Sequence, residues 1–187
     1  GTMISNLLNS SLKHVWQALV IIIVTVIASR ISYKICNKQK IVLYEEFYIL
    51  LSITYLIMLY ELVTRVDYNT LGGGINIIPF AEILRYKISS HLFLLNVIGN
   101  ILLFVPFGFI ISSYVKPNKF YLPVLISFLV SITIEFVQLN IGRSFDVDDI
   151  ILNTIGATFG YLIYKIINKM PIFKKKYINY LICIGIL

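Results

Sequence analysis

An all-α bundle of about five membrane-spanning helices is the fold this sequence predicts, and three observations predict it. The chain of 187 residues is 58% hydrophobic and 13% charged, too little polar surface to keep a domain of this length in water. Its apolar residues fall into five long runs, each close to the length of about 20 residues that a helix needs to cross a hydrocarbon core. Its basic residues form short clusters between the runs instead of one patch. The net charge of +7 therefore points to a polytopic membrane protein and away from nucleic acid.

The first span covers about 15–33, through Ala18-Leu19-Val20-Ile21-Ile22-Ile23-Val24. Its basic residues (Arg30, Lys34, Lys38, Lys40) follow the apolar core, and no small-residue cleavage site follows, so it reads as a permanent helix and not as a signal peptide. The second span covers about 42–63, the third about 92–115, the fourth about 121–141 and the fifth about 150–167. The apolar piece Tyr177–Leu187 is about half the spanning length, either an interfacial segment or a sixth span cut short. With the N-terminus outside, the inner segments hold 11 Lys and Arg residues and the outer segments 5. The positive-inside rule thus predicts N-terminus outside and C-terminus inside. Lys174-Lys175-Lys176 then face anionic inner-leaflet lipid. Cys36 and Cys183 fall on the inner side, without CxxC spacing, and are expected to be free thiols. The chain reads as one membrane domain, 3–187, with Gly1 and Thr2 an expression remnant before Met3. The connection Thr64–Ser90 is long and apolar, with Gly72-Gly73-Gly74 and Asn76-Ile77-Ile78-Pro79-Phe80, and is expected to be an ordered interfacial loop. No internal repeat is visible, which speaks against a transporter of inverted halves.

The informative residues are those that cost energy in a membrane. Glu135 lies ~21 Å along the fourth span from Tyr121, in its outer third, where a carboxylate costs up to about 3 kcal/mol. Gln138 follows at i+3 on the same face, so both point toward protein or a wet cavity. The functional alternative is a proton carrier or an ion-pair partner; the bland one is a helix-to-helix hydrogen bond. Next comes Arg143-Ser144-Phe145-Asp146-Val147-Asp148-Asp149. Asp146, Asp149 and Asn153, at i, i+3 and i+7, are expected to share one helix face. Asp146 equally suits an N-cap, with carboxylates in the first turn favouring the helix dipole. The planar fork of Arg143 suits Glu135, a phosphate or a carboxylate. In the third span Asn96 and Asn100 stand at i and i+4 around Gly99, and Pro106 is expected to kink the helix. Gly156 and Gly160 form a small-residue pair suited to close packing. His14 and His91 lie far apart with no partner at ligand spacing, so neither a metal site nor a cofactor is expected. The expectation is that Asn76, Asn96, Asn100, Glu135, Gln138, Arg143 and Asp149 line one shared cavity.

Taken together, these residues resemble the VanZ-like family of bacterial membrane proteins. The matching pieces are Asn76-Ile-Ile-Pro79-Phe80, Asn96-Val-Ile-Gly99-Asn100, Phe104-Val-Pro106-Phe-Gly108, Glu135-Phe-Val-Gln138 and Arg143-Ser-Phe-Asp146-Val-Asp-Asp149, continuing to Asn153 and Gly156. The resemblance covers roughly residues 76–164, and order and spacing make it specific where each piece alone is weak. It implies reduced susceptibility to glycopeptide antibiotics of the teicoplanin type. Two mechanisms stay open. One is a non-enzymatic protein that binds a membrane lipid, a lipid-linked cell-wall precursor or the lipoglycopeptide through Asn76, Pro79, Phe80, Asn96, Asn100, Glu135, Gln138, Arg143, Asp146, Asp149 and Asn153. The other is an intramembrane enzyme acting on a lipid-linked envelope component, with Glu135, Asp146 and Asp149 as its catalytic carboxylates.

Overall fold

The computed structural model of the chain describes residues 2–65, 73–85, 90–117 and 119–169, with side chains from residue 15. Tyr177–Leu187, Lys174-Lys175-Lys176, Cys183, Gly72 and the side chain of His14 lie outside the described residues. The elements are α1 (Thr2–Cys36), α2 (Leu43–Thr64), β1 (Ile75–Asn76), α3 (Ala81–Arg85), α4 (His91–Phe93), α5 (Gly99–Val115), α6 (Tyr121–Asn140), β2 (Phe145–Asp146) and α7 (Val147–Lys169). A π-helical turn, Leu94–Ile98, joins α4 to α5, so that His91–Val115 is one span. Among the described residues five helices are long and apolar enough to cross a membrane, and their bounds fall within about three residues of those read from hydropathy. α1 also extends back to Thr2. The described residues divide into two compact units, one up to Leu62 and one from Val63 onward.

In the first unit α1 and α2 are tied at their shared turn. Arg30 donates to both carboxylate oxygens of Glu46, and Lys34 pairs with Glu46 at 2.5 Å and Glu45 at 3.7 Å. Glu45 and Glu46 stand in the first turn of α2, where the helix dipole favours anions. α1 closes with Lys38 in the left-handed region (φ 51°). The N–H of Gln39 returns to the Lys34 carbonyl and that of Lys38 to the Ile35 carbonyl, which satisfies two of the helix's last carbonyls.

The second unit is organised around α7, which packs along α5 and against α6. The close approach of α5 and α7 needs glycine. A Cβ on Gly156 or Gly160 would run into the carbonyl oxygens of Ile101 and Val105, and one on Gly108 into that of Ala157. The small-residue pair thus serves packing, as read from its spacing. α5 continues through Pro106, whose missing N–H leaves the Leu102 carbonyl without its helical donor. α6 has a polar inside and an apolar outside. Its buried residues are Pro123, Ser127, Ser131, Glu135 and Gln138, while Phe128, Leu129, Phe136 and Val137 are exposed. That inversion suits a helix whose outer face meets lipid. Ser127 turns its hydroxyl back to the Pro123 carbonyl, which disposes of one buried donor.

Candidate functional site

The site forms where α6 ends, α7 begins and the β1–α3 segment returns. α6 closes through Gly142 at φ 87°, with Gly142 N–H on the Leu139 carbonyl and Arg143 N–H on the Gln138 carbonyl. This turn delivers β2, which pairs in parallel with β1, Ile75 opposite Phe145 and Asn76 opposite Asp146. Two residues of sheet thereby fix the apolar connecting segment onto the start of α7.

Three carboxylates in four residues then take three different partners. Asp146 is the N-cap of α7: its Oδ1 accepts from Asp148 N–H at 2.9 Å and from Asn76 Nδ2 at 3.0 Å. Asn76 Oδ1 in turn accepts from Ile78 N–H at 3.1 Å, shaping the segment before Pro79. Asp148 is buried, and its carboxylate accepts the backbone N–H groups of Phe80, Glu82 and Ile83. It caps α3 from another element and holds Phe80 at φ 66°, an uncommon conformation for a non-glycine residue. Asp149 accepts from Asn100 Nδ2 at 2.6 Å, joining α7 to the third span. Burial pushes the Asp146 carboxyl above the ordinary aspartate range, against the opposing hydrogen bonds from Asp148 N–H and Asn76.

A cavity of about 600 Å³ opens here. It is lined by Gly74, Ile75 and Asn76, by Glu82, Ile83 and Arg85 of α3, by Asn96, Val97 and Asn100, and by Arg143, Ser144, Asp146, Asp148, Asp149 and Leu152. Next to it runs an apolar ridge of exposed side chains, Ile77, Ile78, Phe80 and Leu84, with Pro79 also exposed. Among the described residues no three His, Cys, Asp or Glu side chains are grouped to hold a metal ion.

The expected shared cavity is thus assembled only in part. Asn76, Asn96, Asn100, Arg143 and Asp149 line it together with Asp146, but Glu135 and Gln138 do not. Glu135 is almost fully buried, and its Oε2 accepts from Asp146 N–H at 2.8 Å, so it holds the α6–α7 turn from inside. Arg143 does not ion-pair with Glu135 as one alternative had it. Its Nη1 donates to the Val63 carbonyl at 3.0 Å, and Gln138 Nε2 donates to the same oxygen at 2.8 Å. The reason lies in α2: Val63 is its penultimate residue, and a helix's last carbonyls need outside donors. The common face expected for Asp146, Asp149 and Asn153 is also broken, because α7 starts only at Val147. Asn153 instead donates to Ser131 Oγ at 2.9 Å, while its Oδ1 is buried without a hydrogen-bond partner.

Sequence reasoning passed over Asp148 and Ser131. The signal for Asp148 was present: carboxylates at i, i+2 and i+3 cannot all point one way at a helix start. Ser131 was legible as one more step of the Glu135 stripe, at i−4.

The VanZ/LLP1 family pattern matches residues 15–168. The chain is 26% identical over 146 residues to Protein VanZ of Enterococcus faecium, covering 74% of this chain and 84% of that protein. No solved structure matches it. With five spanning helices and a family match over most of its length, the chain is a multi-pass membrane protein and belongs to the VanZ/LLP1 family.

Proposed function

We propose that this protein lowers susceptibility to teicoplanin-type glycopeptide antibiotics from the bacterial cytoplasmic membrane, by binding an amphipathic ligand at the outer leaflet. The ligand is a lipid-linked cell-wall component or the lipid-bearing antibiotic. The observation that carries the reading is the adjacency of a polar cavity of about 600 Å³ and an apolar ridge on one ordered segment. A cavity of ~300–1,000 Å³ suits a drug-sized group or headgroup, and the exposed Ile77, Ile78, Phe80 and Leu84 suit a hydrocarbon chain. Asn96 and Asn100 offer donors and acceptors for hydroxyl and amide groups, and Arg143 a planar cation. Binding without chemistry is supported over catalysis by the way the candidate acids are used. Glu135 is absent from the lining, and Asp146 and Asp149 are each held by structural hydrogen bonds.

Asn96 gives the cleanest test, because it lines the cavity and is exposed on the third span. In a susceptible host, Asn96→Leu is expected to reach the membrane at wild-type level and to lose protection against teicoplanin. Wild-type protection by Asn96→Leu would overturn the cavity as the site. Mass spectrometry of cell-wall precursors from cells with and without the protein tests the other half. Identical precursors are expected, and a new covalent product would replace binding by catalysis.

A further inference from the structure

The first unit holds two adjoining cavities, far in sequence from the residues above. Below the ion pairs that tie α1 to α2, the two helices enclose an apolar groove of about 560 Å³, walled by Val26, Ile27 and Ile31 on one side and Leu43, Phe47 and Leu50 on the other. Arg30 and Glu46 also line it. A second chamber of about 520 Å³ adjoins, lined by Ser29, Arg30, Tyr33, Lys34 and Gln39. Arg30 borders both, so the apolar slot and the second chamber meet at one guanidinium.

The charges around that junction do not balance. Arg30, Lys34, Lys38 and Lys40 stand against Glu45 and Glu46. The two acidic residues are engaged by Arg30 and Lys34, while Lys38 and Lys40 lie exposed on the connecting turn beside Gln39. A cationic excess over an apolar slot of this size complements one amphiphile of the membrane itself: a lipid with a negatively charged headgroup. We propose that the α1–α2 hairpin holds a single anionic phospholipid, one acyl chain in the groove and its phosphate at Arg30, drawn there by the exposed Lys38 and Lys40 of the adjoining turn. Arg30 suits the phosphate because its planar fork presents several donors, whereas the lysines act as point charges.

The test uses the full-length protein in a mild detergent, incubated with palmitoyl-oleoyl phosphatidylglycerol or with phosphatidylcholine of the same chains, and native mass spectrometry to count retained lipid. The wild type is expected to keep one phosphatidylglycerol and to keep phosphatidylcholine several-fold less. Ile31→Trp fills the groove without touching an ion pair and is expected to lose the retained lipid. The double variant Lys38→Asn, Lys40→Gln leaves Arg30, Lys34 and Glu46 in place, and asparagine tolerates the left-handed φ of position 38. It is expected to lose the preference for phosphatidylglycerol while still eluting as a monodisperse folded species. Equal retention of the two lipids by the wild type, retention of neither, or undiminished retention by Ile31→Trp overturns the proposal.

Discussion

At the scale of single residues, Glu135 and Asp146 are two carboxylates with different tasks, and substitutions separate them. Glu135 accepts one backbone N–H, that of Asp146, inside the bundle. Glu135→Gln keeps an oxygen acceptor of the same reach, so it is expected to be nearly silent in both stability and teicoplanin protection. Glu135→Leu leaves Asp146 N–H without an acceptor in a buried place, at a cost of about 1–3 kcal/mol. Thermal unfolding followed by fluorescence-detected gel filtration should rank wild type and Glu135→Gln together, with Glu135→Leu below. Loss of protection by a stable Glu135→Gln would restore the proton-carrier reading. Asp146 differs because burial raises its pKa above the ordinary aspartate value of 3.8. A carboxyl with a raised folded-state pKa binds more protons folded than unfolded in that window. Its contribution to stability is therefore fully present below that ordinary value and is lost as pH rises through the raised one. Asp146→Asn keeps an oxygen for Asp148 N–H and Asn76 but cannot ionise. The unfolding midpoint of the wild type is expected to fall with rising pH above 3.8 more steeply than that of Asp146→Asn. Parallel profiles would remove Asp146 as the titrating group.

At the scale of elements, the α5–α7 pair depends on three glycines whose absent Cβ atoms let backbone approach backbone. Gly156→Ala forces a methyl group against the Ile101 carbonyl, and an overpacked site costs typically about 1–3 kcal/mol. Gly74→Ala is the control, because a Cβ there meets nothing within 4 Å. A lowered unfolding midpoint for Gly156→Ala beside an unchanged one for Gly74→Ala is the expected result; equal behaviour would mean that the helices slide apart at little cost. This close pair was legible in the sequence as Gly-x-x-x-Gly, and the spans were legible because a run of apolar residues either reaches membrane length or does not. What escaped notice lay at helix ends. The π-helical turn at Leu94–Ile98 carries no local signature in its residues. Lys38 and Lys116 adopt left-handed φ of 51° and 48° to close α1 and α5, a role usually signalled by glycine. Gly142 closes α6 in the same way, with the residue type that this role usually takes.

At the scale of the whole molecule, the sequence singled out the polar residues of the spans but not their pairing. Costly polar side chains in separate spans had to find protein or water, which made Asn100, Glu135, Gln138 and Asp149 conspicuous one by one. Which of them face a cavity depends on where helices stop. Gln138 and Arg143 are drawn to the Val63 carbonyl, Glu135 to the Asp146 N–H, and Asp148 to the N–H groups of α3. None of those backbone partners is visible in a pattern of side chains. Charge distribution over the full chain, in contrast, makes a prediction that no single contact affects. With 11 Lys and Arg residues on one side and 5 on the other, the first side is expected in the cytoplasm and the α6–α7 turn, with the cavity, is expected outside. The test starts from a background in which Cys36 and Cys183 are serine. Ser144→Cys, exposed on the α6–α7 turn, is expected to react with a membrane-impermeant maleimide in intact cells. Lys119→Cys, exposed on the α5–α6 turn, is expected to react only after the cells are permeabilised. The two positions sit at opposite ends of α6, so a correctly inserted protein must label at one and not at the other. The reverse pattern would turn the cavity toward the cytoplasm, where an outer-leaflet ligand could not reach it. The binding proposal would then fail with the orientation, while the fold and the family assignment would stand.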